Sequence, residues 1–261
     1  MIETAIGDSA PAPRSRSWRG RLYAWYLRSD GLKGFTLLSP TLLLMAFAMA
    51  IPFGIMVVMS FWRQIGFEFD TAFTFANYAE AVERPVYQAL LLRSLTISSI
   101  CTVATVLVSY PMAYYVAFHV RKRKMAWIIL MTVPFFSSYL LRIFAWKVIL
   151  GYNGVINSGL KGLGLIEQPL AFLLYSPTAV VITLAHAWAA FAILPIYISL
   201  EKIDRSLLEA ATDLGDGPVK RFLGITLPLS MPGVIAASLM IFIPTVGDYV
   251  TPTLVGGPDG L

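Results

Sequence analysis

Long uncharged apolar runs separated by short charged stretches set the pattern of this 261-residue chain. From Gly34 to Trp62 there are 29 residues without a charge, enough for roughly 43 Å of helix against a hydrocarbon core of about 30 Å. Ser94 to Phe118 is a second uncharged run of 25 residues, rich in Thr, Ser, Val and Ala, side chains that let helices approach closely in lipid. A third begins near Met125 and reaches Leu150, carrying Arg142 and Lys147 within it. A fourth opens at Ser176-Pro177, an N-cap and first-turn pair, and reaches Leu200; a fifth starts at Gly233 and passes Pro244, Gly247 and Asp248. The pattern predicts an all-α integral membrane protein, a multi-span helical bundle with spans at about 34–62, 94–118, 125–150, 177–200 and 233–255.

The polar stretches give the topology. Residues 1–33 form a basic tail with Arg14, Arg16, Arg19, Arg21, Arg28 and Lys33, and with Trp18, Tyr23, Trp25 and Tyr26 suited to the headgroup level. No apolar core there is followed by a small-residue cleavage site, so no removable signal peptide is expected. Residues 63–93 mix acids and bases and leave room for a short surface helix around 77–82. After the second run come Arg121-Lys-Arg-Lys124, four consecutive basic residues that mark the cytoplasmic side. Residues 151–175, with five Gly and with Asn153, Asn157 and Gln168, read as an external loop. The tail, the Arg-Lys-Arg-Lys loop and the polar stretch 201–232 hold six, four and four of the 20 basic residues, which places the amino terminus inside.

Composition agrees: 57% hydrophobic and 13% charged residues, and a mean hydropathy of +0.70, lie far from the roughly 25% charged residues of soluble domains. A lone cysteine, Cys101, excludes an intrachain disulfide and leaves helix packing to hold the fold. The net charge of +5 is accounted for by membrane sidedness, so no nucleic-acid partner is expected. With two His, one Cys and no ligand spacing, neither a metal site nor a catalytic cluster is expected, and the absence of GxxxxGK[ST] leaves no phosphate cradle on this chain.

Two charges fall inside spans. On continuous helices Arg142 would lie some 25 Å and Asp248 roughly 22 Å from the inner end. Two readings stand for each: Arg142 serves function or snorkels to the outer headgroups, and Asp248 neutralises Arg142 or lines a polar cavity. His186, midway along the fourth span, is by type more often a packed residue than a ligand.

The most informative stretch is Glu209 to Pro228, EAATDLGDGPVKRFLGITLP, a polar interruption between the last two spans. Ile203, Leu207, Ala210 or Ala211, and Leu214 recur at helical spacing opposite Asp204, Arg205, Glu209 and Asp213. Gly215 is placed to stop this helix, and Pro218 to start a second short one through Lys220, Arg221 and Phe222. The small Ala210 and Ala211 would admit another protein's backbone, and Glu209 offers a charge for a partner's Arg or helix N-terminus.

At its fixed positions this stretch resembles the EAA loop of membrane-spanning permease subunits of ABC importers. Leu141-Arg-Ile-Phe-Ala-Trp146 and Pro244-Thr-Val-Gly-Asp-Tyr249 resemble the third- and fifth-span segments of the polyamine (spermidine/putrescine) type, and the similarity extends over about residues 30–257. The resemblance implies a type I ABC importer permease fold of the MetI-like kind, of which five spans are visible and an expected sixth is absent from the sequence. It further implies a multi-pass protein of the bacterial inner membrane that is not itself an enzyme and binds no cofactor. Its implied partners are a cytoplasmic ATPase dimer carrying ATP and Mg, a second homologous permease, an extracytoplasmic solute-binding protein and membrane lipid. Glu209, Ala210, Ala211, Gly215, Ile225, Leu227 and Pro228 would couple to the ATPase, and Arg142, Trp146, Asp248 and Tyr249 would line the solute pathway. Other small organic solutes, or an ion-driven carrier using Arg142, His186 and Asp248, are the alternatives.

Overall fold

A computed structural model describes Trp18 and residues 29–257; the other aromatic and basic residues of the tail up to Arg28 lie outside that range. The chain divides into two compact units, residues 1–83 and 84–261.

The first unit is a long helix, α1 (Asp30–Ser60), followed by a hairpin of β1 (Arg63–Ile65) and β2 (Glu68–Asp70) and by α2 (Ala76–Glu83). The strands pair antiparallel with Gln64 opposite Phe69, and Gly66 at φ +67° makes the reversal. Asn77 Nδ2 donates to the carbonyls of Ser60 (2.9 Å) and Trp62 (2.8 Å), which lie at and just past the end of α1 and lack helical donors. The Phe61 and Phe73 rings stack 4.2 Å apart beside it.

The second unit contains α3 (Pro85–Phe118), α4 (Lys124–Thr132), α5 (Tyr139–Leu150), α6 (Val155–Gly162), α7 (Pro177–Glu201), α8 (Arg205–Asp213), α9 (Pro218–Arg221) and α10 (Leu227–Val246). Its core is the mutual packing of α3, α7 and α10. Mostly small residues face inward at spacings of three and four: Ser98, Thr102, Thr105, Ser109 and Ala113 on α3, and Ser230, Gly233, Ala237 and Thr245, with the larger Ile241 among them, on α10. In lipid such stripes matter because apolar side chains gain little by leaving hydrocarbon, so close backbone approach and buried hydrogen bonds must hold the helices. Two of those bonds join α3 to α10, Tyr110 Oη with Ser230 Oγ (2.8 Å) and Ser94 Oγ to the Val246 carbonyl (2.7 Å).

Five helical segments among the described residues are long and apolar enough to cross a membrane: Lys33–Ser60, Pro85–Phe118, Tyr139–Gly162, Pro177–Glu201 and Pro218–Val246. The number is the one expected from the hydrophobic pattern, but three boundaries differ. The second helix starts at Pro85, nine residues before Ser94, because Pro suits a first turn and Arg93 is carried within the helix. The third run is not one helix. Pro134, which has no N–H to donate, breaks it at a 3₁₀ turn over Val133–Phe136, leaving Lys124–Phe136 only about 20 Å long and a new helix starting at Tyr139. The fifth starts at Pro218, inside the polar stretch, and its α-helix ends at Val246. A π-turn at Phe222–Thr226 joins α9 to α10, with the Leu227 N–H donating to the Phe222 carbonyl. Pro228 explains this slip, since it can neither donate to the Gly224 carbonyl nor pack its ring against it.

Candidate functional site

The residues singled out from the sequence fall at two places, the capped helix α8 with the turns after it and a cavity beside Arg142 with its surroundings. Asp204 caps the N-terminus of α8 by accepting the Ser206 N–H at 2.9 Å, a bond that holds its carboxyl below the usual range. Gly215, at φ +85°, closes the other end: its N–H donates to the Thr212 carbonyl and the Asp216 N–H to the Ala211 carbonyl, both at 2.9 Å. This pair of bonds is a Schellman motif, and the stop anticipated at Gly215 is where the helix ends. Arg221 bonds Thr212 and Lys220 bonds Asp216, so α9 is fixed against α8.

The two faces of α8 differ from the sequence expectation. Ile203 and Ala211 are buried, but Leu207 and Leu214 are 47% and 84% exposed, and Ala210 and Glu209 are exposed with them. The expected single apolar face is therefore split. Ala211 packs inward, while Leu207, Ala210 and Leu214, at i, i+3 and i+7, form an apolar stripe on the outer surface. Ile225, Leu227 and Pro228 lie not in a loop but at the π-turn and first turn of α10.

The cavity, about 440 Å³, lies where the third run is broken and is lined by Phe135, Ser137, Tyr139, Arg142, Trp188, Asp248 and neighbours. Arg142 and Asp248 share this cavity, but no ion pair joins them among the described residues. Arg142 donates to the carbonyls of Ala187 (2.8 Å), Ser137 (3.0 Å) and Phe135 (3.1 Å). It thereby satisfies two carbonyls freed by the Pro134 break, those of Phe135 and Ser137, and ties them to Ala187 within α7, the reason a guanidinium with several donors sits there.

Asp248 caps the chain after α10. One carboxylate oxygen accepts the Val250 N–H at 3.0 Å, and the other accepts the Tyr139 and Thr251 hydroxyls, each at 2.6 Å. The depth argument from unbroken helices does not hold for either residue, since Arg142 lies in the first turn of α5 and Asp248 beyond the end of α10. Of the remaining pathway candidates, Tyr249 is 78% exposed and Trp146 stands edge-on to His186 with ring centroids 5.4 Å apart. Tyr139 and Thr251 escaped the sequence reading. Thr251, three residues after an Asp, carried a legible capping signal; Tyr139, 109 positions from Asp248, carried none.

A bundle of membrane-length helices, with a polar helix-turn held rigidly between its last two spans and a polar cavity within it, defines a multi-pass membrane transport permease. Residues 106–261 match the family described as binding-protein-dependent transport system inner membrane component, and this chain belongs to that family. It is 37% identical over 189 residues to the spermidine/putrescine transport system permease protein PotB of Escherichia coli (strain K12), covering 72% of this chain and 68% of the relative. The PotB of Haemophilus influenzae is 35% identical over 212 residues, 81% of this chain and 73% of that one. In fold, the chain resembles a bacterial ABC transporter involved in the import of the acidic polysaccharide alginate, with a TM-score of 0.62 at 18% identity, over 88% of this chain and 82% of that one.

Proposed function

We propose that this chain is the permease subunit of an ATP-driven importer that carries a polyamine, spermidine or putrescine, across the bacterial inner membrane, with its amino terminus in the cytoplasm. A cytoplasmic ATPase dimer supplies the energy and seats on α8, a second homologous permease completes the pathway, and an extracytoplasmic binding protein delivers the solute. This chain itself catalyses nothing and holds no cofactor; ATP and Mg belong to the ATPase. Glu209, Ala210, Ala211 and Gly215 form the coupling helix and its stop, with Ile225, Leu227 and Pro228 conveying its movement into α10. Arg142, Trp146, Asp248 and Tyr249 border the solute route.

The observation that carries this reading is the exposed stripe of Leu207, Ala210 and Leu214 on a helix already closed by its own caps at both ends. A helix whose ends are already satisfied and whose inner face is already packed, yet which presents apolar side chains outward, has the surface a groove-forming partner covers. The polyamine assignment follows from the two permeases of that name among its relatives. The test is uptake of labelled spermidine, putrescine and amino acids by vesicles energised with ATP or with a non-hydrolysable analogue. ATP-dependent accumulation of a polyamine alone supports the proposal. Accumulation indifferent to hydrolysis, or of no polyamine, refutes it.

A further inference from the structure

Three chain segments meet at one carbonyl oxygen, and a fourth joins them through a shared lysine. Ala117 lies in the last turn of α3, where the final carbonyls have no helical N–H to accept from. Its oxygen accepts Lys124 Nζ at 3.0 Å and Arg205 Nη2 at 3.2 Å. The same Lys124 Nζ lies 2.7 and 2.8 Å from the two carboxylate oxygens of Glu201. Lys124 is the first residue of α4, Glu201 the last of α7, and Arg205 the first of α8.

Two local rules are broken to build this meeting point. Glu201 puts an acid at a helix C-terminus, where the macrodipole disfavours negative charge, and only a cation close by offsets it. Arg123, just before Lys124, is held in the left-handed region at φ 61° and ψ 32°, a conformation costing a non-glycine residue roughly 1–2 kcal/mol. That conformation turns the chain back so that Lys124 reaches both Ala117 and Glu201. Local disfavour at Arg123 and at Glu201, both tied to the placing of Lys124, is the kind of cost that a functional constraint sustains.

We propose that Lys124 and Arg205, both donating to the Ala117 carbonyl, and Glu201, which accepts from Lys124, form the joint through which a displacement of α8 is shared among α3, α4 and α7. This rests on α8 being the coupling helix. Covalent connection alone would pass movement from α8 only to α7, through residues 202–204, and to α10 through α9. Arg205 extends it to α3, and Lys124 ties α4 and the end of α7 to the same point. These are positioning residues: they touch neither solute nor nucleotide.

The experiment uses the assembled transporter in lipid vesicles and reads three quantities, the ATPase bound, the temperature at which buried Cys101 becomes reactive to a thiol dye, and the polyamine taken up per ATP hydrolysed. Arg205→Met is the principal variant, because Arg205 is exposed and its loss removes one hydrogen bond to the joint. Lys124→Met is the second. Uptake per ATP is expected to fall about tenfold in both, the scale of coupling within one hydrogen-bond network, with bound ATPase and Cys101 reactivity unchanged. Arg205→Lys and Lys124→Arg, which keep a donor, are expected to retain most of it. Unchanged uptake per ATP in both methionine variants overturns the joint. So does a loss matched by ATPase release or by earlier Cys101 labelling, which would make these residues docking or folding elements. If the unaltered chain binds no ATPase, the coupling reading fails first and the joint falls with it.

Discussion

Replacing Arg142 by Met keeps an unbranched side chain of similar length and removes every donor. Three carbonyls lose a partner, those of Phe135, Ser137 and Ala187, and the guanidinium leaves its place 5.8 Å from the Phe135 ring centroid. Hydrogen bonds to a charged donor contribute about 1.5–3 kcal/mol each, but the substitution also removes the cost of burying the charge. A net loss of about 3 kcal/mol is expected, which for a unit of this size lowers the melting temperature by about 6–12 °C. Cys101 supplies the assay: it is 0% exposed and the only cysteine, so a thiol-reactive dye labels it when the α3–α7–α10 packing opens. Arg142→Lys, a point charge that cannot span three carbonyls, should fall between the two. An unchanged labelling temperature combined with a changed KM for a cationic solute would refute this reasoning. Arg142 would then act on the route through the solute itself and not by holding the broken helix.

Gly233→Ala should destabilise by about 1–3 kcal/mol in the same assay, because its Cβ would lie 2.5 Å from the Pro195 carbonyl oxygen and 2.6 Å from Ser199. Adding Ser199→Gly should relieve only part of that loss, since the Pro195 carbonyl remains. Asp248→Asn should cost about 1–3 kcal/mol by weakening the bonds from Tyr139 and Thr251. Tyr139→Phe should cost less, and the double variant should be non-additive by thermal labelling; strict additivity would mean the two do not share that bond. Gly215→Val should cost about 2 kcal/mol or more by forcing a β-branched residue to φ +85°, and should release the ATPase in co-purification.

The spans were legible because a run of uncharged residues has few fates outside lipid, and the end of α8 and the start of α9 because Gly215 and Pro218 act over two or three residues; Asp204 was placed on the polar face, and its role as the N-cap was missed. What escaped depended on distant partners. Pro134 could be seen in the sequence, but not that the chain would restart at Tyr139 and turn Arg142 toward the carbonyls the break exposes. Helical periodicity placed Leu207 and Leu214 with the buried face, because an apolar side chain kept outward for a partner has the same spacing as one packed inward. Lys124 and Glu201 stand 77 positions apart, and nothing local in either segment announces the other.

The account turns on α8 being where an ATP-hydrolysing subunit grips this chain. Ala210→Cys tests it most directly, since the residue is exposed at the centre of the stripe while native Cys101 is buried. A short bifunctional thiol reagent should join position 210 to an ATPase subunit in membranes that take up polyamine, with Ala211→Cys, facing inward, reacting far less. Uptake that continues where position 210 never captures a nucleotide-hydrolysing partner would contradict the account.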